Sequence, residues 1–111
     1  MMQFLPRTWD EFFAVTQLGH PSNAAWRQVA SYWEMAYSMA RHGIVHPEFM
    51  VENAGEGVFL YAKVAPYLER YRKEVSPTAM LNVEWVVTET ATGQRLLGLF
   101  QSRIRKMMEA R

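Results

Sequence analysis

The chain contains no cysteine, which excludes a disulfide framework, a thiolate nucleophile and any zinc or iron–sulfur centre held by cysteine. A cytoplasmic setting fits that composition. Long apolar runs are also lacking. The most apolar window, GVFLYAKVAPYL at residues 57–68, is too short to cross a hydrocarbon core of about 30 Å and carries Lys63, so no membrane span is expected. The opening MMQFLPRTWDEFF has no basic stretch followed by an apolar one, so no signal peptide is expected there. Charge of one sign is missing as well: 12 Lys and Arg against 11 Asp and Glu leave a net +1, which argues against a wholly basic nucleic-acid coat. No GxSxG, HExxH, P-loop or dinucleotide fingerprint occurs, and the GEG at residues 55–57 is too short to cradle a phosphate. No internal repeat or low-complexity segment is present.

What is present is the composition of an ordinary globular domain, with 50% hydrophobic, 14% aromatic and 21% charged residues. At 111 residues, the chain reads as one domain able to bury roughly 65% of the surface its unfolded form exposes. It needs no metal or disulfide to fold.

The pattern is that of an all-α protein, a small antiparallel helical bundle of about five helices. Its organising stretch is a long central helix over residues 23–42. There Trp26, Val29, Ala30, Trp33, Tyr37 and Ala40 recur at three- and four-residue spacing, and Ala25, Tyr32, Ala36 and Met39 make a second row beside them. A helix apolar over about half its circumference must touch at least two neighbours.

Before it, Met1 to Arg7 form a short lead in which Phe4 and Leu5 pack onto the bundle. Thr8 followed by Glu11 is a capping-box pattern that starts a first helix buried through Trp9, Phe12, Phe13 and Leu18 and stopped at Gly19. Ser22 or Asn23 caps the central helix, and Gly43 ends it as a left-handed C-terminal cap. Pro47 and Glu48 mark a short third helix. A fourth, from Glu56 to Glu74, passes through Pro66 with a kink and without termination. After Ser76, Pro77 and Thr78, the β-branched run through Val86, Val87 and Thr88 would suit a strand. An isolated strand has no partner here, so helix is expected. Thr92 and Gly93 mark a bend, and residues 94–110 form the last amphipathic helix.

Several side chains are candidates for chemistry. His42 and His46 are four apart, which on one helix would suit a metal, but Gly43 and Pro47 put them on opposite sides of a helix–helix turn. A helix-end histidine and a histidine N-cap are expected, with no metal and no cofactor. Glu48, Glu52 and Glu56 would share a face if their helix were continuous, yet like charges on one face describe a solvated surface, and no enzymatic activity is expected. Arg72 follows Leu68 and Ala65 on the apolar stripe. A buried guanidinium requires an acceptor, and Glu34 or Glu84 is the expected partner. On the last helix Leu97, Phe100, Ile104 and Met108 offer more apolar surface than one groove covers, which points to an oligomerisation arm and a homodimer. Eight methionines add adaptable contact surface. The same helix carries Arg95, Arg103, Arg105, Lys106 and Arg111, an alternative contact for nucleic acid.

The segments AAWRQVASYWE (residues 24–34), MARHGIVHPEFM (39–50), APYLERYRKE (65–74) and NVEW (82–85) together resemble an uncharacterised bacterial helical family, one of the domain-of-unknown-function families. The resemblance covers about the middle two thirds of the chain. It implies an all-helical fold and a bacterial origin, and no catalytic residue carries over. The chain differs from similar sequences in showing no membrane-spanning segment ahead of the domain and in its basic stretch after Gly93. The combined expectation is a non-enzymatic helical interaction or scaffold module that self-associates through its C-terminal helix or meets another, unidentified protein partner.

Overall fold

The computed structural model describes residues 4–110, and every regular element among them is helical: α1 (Trp9–Val15), α2 (Asn23–Arg41), α3 (Pro47–Asn53), α4 (Glu56–Glu74), α5 (Leu81–Glu89) and α6 (Ala91–Glu109). Six helices stand where about five were expected. The expected lead at Met1, Met2 and Gln3 lies outside the described residues, as does Arg111.

Local chemistry explains most of the boundaries. The Thr8 hydroxyl accepts the Glu11 N–H at 3.1 Å and starts α1. The Glu11 carboxylate reaches back to the Arg7 N–H at 3.2 Å, one residue beyond the Thr8 N–H of the expected box. The helix stops at Val15, where the Thr16 hydroxyl and N–H both donate to the Phe13 carbonyl, at 2.7 and 3.1 Å, and Leu18 is left 81% exposed instead of buried. Phe12 fills the α1 contact, fully buried among the rings of Trp9, Trp26, Tyr67 and Tyr71.

The C-terminus of α2 is a Schellman motif. Ile44 N–H bonds to the Met39 carbonyl at 2.8 Å and Gly43 N–H to the Ala40 carbonyl at 3.2 Å, with residue 43 at φ 82°, a left-handed conformation that favours glycine. Ser22 makes no side-chain cap. Asn23 is buried instead, its amide donating to the Val15 carbonyl and its oxygen accepting from Arg27. Trp26, Ala36, Tyr37 and Ala40 are buried on α2, which packs against α5, α3 and α4, whereas Tyr32 in the second row stays 54% exposed. At Gly57 an added Cβ would meet the Tyr37 ring at 2.7 to 2.9 Å, which explains the glycine in the first turn of α4. The α4 helix continues through Pro66.

The valine-rich stretch from Val83 to Val87 is helical, with Val83, Val86 and Val87 buried in the core. Its junction with α6 falls at Thr90, ahead of the expected bend at Thr92 and Gly93. One hydroxyl serves both helices: Thr90 Oγ1 donates to the Val86 carbonyl at 2.7 Å and accepts the Gly93 N–H at 2.9 Å. Gly93 is buried in the first turn of α6, where a Cβ would lie 2.5 Å from both the Thr90 hydroxyl and the Val86 carbonyl.

The direction of α6 departs from an antiparallel bundle. Gly55 lies against Leu96, the Phe59 and Phe100 rings meet in a tilted pair with centroids 4.8 Å apart, and Ala62 shares a buried cluster with Ile104. Residue numbers rise together along both helices, so α4 and α6 run side by side in the same direction. The intervening α5, nine residues and about 13 Å long, carries the chain part of the way back.

Candidate functional site

Two acidic side chains reach across the fold to cap helices that begin elsewhere. Glu34 of α2 accepts the Asn82 N–H through both oxygens, at 3.0 and 2.9 Å, and the Val83 N–H at 3.0 Å, closing the start of α5. That helix has no side-chain cap of its own; its N-cap residue, Met80, is buried with a left-handed backbone at φ 54°. Glu48 of α3 does the same for α6, accepting the Ala91 N–H at 2.6 Å and the Thr92 N–H at 3.2 Å, together with the Thr92 hydroxyl. That hydroxyl, helped by the two amides against the cost of desolvation, holds the Glu48 carboxyl below the ordinary carboxylate range. The positive end of each helix dipole faces a carboxylate in both cases.

Arg72 is half-buried. Its Nε donates to the Ala79 carbonyl at 2.9 Å and its Nη1 to Glu84 at 2.9 Å, while the buried Nη2 finds no partner among the described residues. Glu34, the other expected acceptor, is engaged at the start of α5. The Tyr61 hydroxyl donates to the same Glu84 oxygen at 2.9 Å, and burial together with the Glu84 charge pushes its phenol up to about 12. This network ties α4 to α5.

His46 is the N-cap of α3, its Nδ1 accepting the Glu48 N–H at 3.2 Å, and His42 ends α2. Among the described residues no three His, Asp or Glu side chains gather as metal ligands do. The three spaced glutamates are divided: Glu48 caps α6, while Glu52 closes α3 and Glu56 opens α4.

Leu97, Phe100, Ile104 and Met108 turn toward α4. Ile104 is 7% exposed and packs with Leu5 and Ala62, and the other three are half-buried around it. Of the row expected to await a second copy, Ile104 is thus covered from within the chain, while Leu97, Phe100 and Met108 are covered only in part. Leu99, 45% exposed, and Met107, 37% exposed, are the large apolar side chains that α6 shows to solvent. Arg95, Arg103, Arg105 and Lys106 are all exposed on that helix and form no ion pair among the described residues.

Beside α6 lies a cleft of about 620 Å³, a volume in the range of ligand sites. Its floor is apolar, from Trp33 of α2, Phe59 and Leu60 of α4, and Leu96 and Phe100 of α6. Its charged residues are Glu52 and Glu56 from the α3–α4 corner, and Lys63 and Arg103. Lys63 Nζ lies 4.7 Å from the Phe59 ring centre, and burial lowers its affinity for a proton; the Arg103 guanidinium lies 5.6 Å from the Phe100 ring. The spacing of Phe100 and Arg103 marked them in the sequence. Trp33, Glu52 and Glu56 join them only because α6 lies parallel to α4.

These features define a small all-helical domain with an apolar, charge-edged cleft. A family model described as Domain of unknown function (DUF4760) matches residues 3–90, and the chain belongs to that family. The matched span ends at Thr90, the junction before α6. No curated protein and no solved structure matches the chain. No helix among the described residues is long and apolar enough to cross a membrane.

Proposed function

We propose that the chain is a non-enzymatic, cytoplasmic helical interaction module that presents α6 and the cleft beside it to a protein partner. The observation that carries this reading is the cleft itself. Its floor offers rings and a leucine to solvent, while charges stand at its edges, the distribution of an interaction surface with an apolar centre and a polar rim. The cross-fold caps at Glu34 and Glu48 support it by holding α5 and α6 in fixed positions.

A second copy of the chain is the partner proposed for α6, with Leu99 and Met107 as its contacts. Light scattering behind size exclusion over a concentration series tests this on the chain and on the Leu99→Glu/Met107→Glu variant. A dimer that the variant dissociates supports self-association through α6. A monomer at every concentration refutes it and leaves a heterologous partner.

A second reading rests on a different observation. Helical spacing puts Arg95, Leu99 and Lys106 on one strip of α6 with Arg103 beside it, all exposed. Such a strip suits a phosphate backbone. Binding to an RNA or DNA oligomer with a log–log salt slope near −3, as about three phosphate contacts would give, supports it; salt-independent or absent binding rejects it.

A further inference from the structure

The cleft has a charge axis. Glu52 and Glu56 stand where Gly55 meets Leu96, the Phe59–Phe100 ring pair follows one turn on, and Lys63 and Arg103 come one turn beyond that. Glu56 to Lys63 is seven residues, about 10 Å along a helix, and Leu96 to Arg103 is the same interval on α6. Among the described residues Glu52, Glu56 and Arg103 form no ion pair, and all three are exposed. The two carboxylates and the Arg103 guanidinium therefore flank an apolar floor without pairing with each other across it.

Resting on the interaction-module reading, we infer that the occupant of this cleft is an extended segment of a partner polypeptide, with a basic and an acidic side chain about three residues apart and a large apolar side chain between them. An extended chain advances about 3.3 Å per residue, so three residues cover the axis of about 10 Å. The basic side chain meets Glu52 and Glu56. The acidic one meets Arg103, whose planar fork suits a carboxylate. The apolar side chain lies on Phe59, Phe100 and Leu96.

Charge complementarity separates this occupant from others. A nucleic acid or an anionic lipid surface would bring phosphates against Glu52 and Glu56. A wholly apolar helix would leave charges at both ends of the cleft facing it without counterparts.

The test is selection of a displayed random-heptapeptide library on the full chain and on two variants, Glu52→Lys/Glu56→Lys and Arg103→Glu. The three substituted side chains are exposed and form no ion pair among the described residues, and unchanged far-ultraviolet circular dichroism checks that the variants fold. The expected result is enrichment of peptides with a Lys or Arg and an Asp or Glu three apart around Leu, Phe or Trp. On Glu52→Lys/Glu56→Lys the basic preference disappears, and on Arg103→Glu the acidic one does. An enriched peptide measured by fluorescence anisotropy weakens by about tenfold or more on either variant, as loss of a close charge pair predicts.

The inference is overturned by the absence of any enriched motif or by the same motif appearing on all three proteins. It is also overturned if Glu52→Lys/Glu56→Lys splits a dimer seen by light scattering, since the occupant is then a second copy and the interaction-module reading stands. Failure of both peptide selection and self-association removes that reading as well.

Discussion

Removing the Glu34 carboxylate should destabilise the protein from a position remote in sequence from the helix it caps. Glu34 accepts two backbone N–H groups at the start of α5, and that helix has no cap of its own. Loss of a helix cap costs about 1 kcal/mol, and hydrogen bonds to a charged acceptor contribute about 1.5 to 3 kcal/mol. The site is only half-buried, so water rescues part of the loss, and Glu34→Ala should cost about 2 kcal/mol. For a domain of this size that is a fall in Tm of about 8 to 12 °C. Glu34→Gln retains a carbonyl acceptor and should cost about half as much. Glu69→Ala, which breaks an exposed pair with Lys73, should cost under about 0.5 kcal/mol. Urea melts followed by circular dichroism give the values, and an unchanged m confirms a stability effect. Hydrogen exchange gives the location: the Asn82 and Val83 amides should lose protection before those of α2. A Glu34→Ala variant within about 0.5 kcal/mol of the parent would refute the capping argument.

Further outcomes follow from other parts of the fold. Gly57→Ala should destabilise by about 1 to 3 kcal/mol in a thermal melt, because the new methyl meets a buried Tyr37 ring held by its hydrogen bond to the Ala54 carbonyl. Glu48 has a depressed folded pKa, so the unfolded chain binds more protons at low pH. Its contribution is therefore complete above the ordinary value of 4.5 and is lost as pH falls through the folded value, and Glu48→Gln should flatten the pH dependence of stability below 4.5. Tyr61 shows the opposite sign: its contribution is complete below pH 10 and fades as pH rises toward about 12, and Tyr61→Phe should remove that alkaline loss in a pH series of melts. Arg72→Ala should cost about 2 kcal/mol by leaving Glu84 and the Ala79 carbonyl short of a donor, as read from urea midpoints.

Features specified within a few residues were legible in the sequence. Gly43 announced the Schellman end of α2, His46 and Pro47 the start of α3, and the lack of a partner strand the helical state of the valine run in α5. The inward direction of Arg72 followed from its distance to Leu68, and Glu84 lies only twelve residues away. Contacts made across the fold were hidden. Glu34 and Asn82 are 48 residues apart, and nothing local distinguishes Glu34 from a solvated acid on the polar edge of its helix. The direction of α6 was equally hidden, because periodicity identifies an apolar face but not the helix that covers it. For that reason Leu97 and Ile104 read as a surface awaiting a partner, when α4 covers Ile104 and, in part, Leu97.

The central claim is that the cleft beside α6 is the contact surface. The most direct measurement is side-chain NMR of the full chain titrated with a selected heptapeptide. If the peptide seats in the cleft, the Trp33 indole, the Phe59 and Phe100 rings and the Leu96 methyls move together and saturate at one stoichiometry. Shifts confined to Arg95, Leu99 and Lys106 on the outer strip of α6, or no shifts at all, would contradict it.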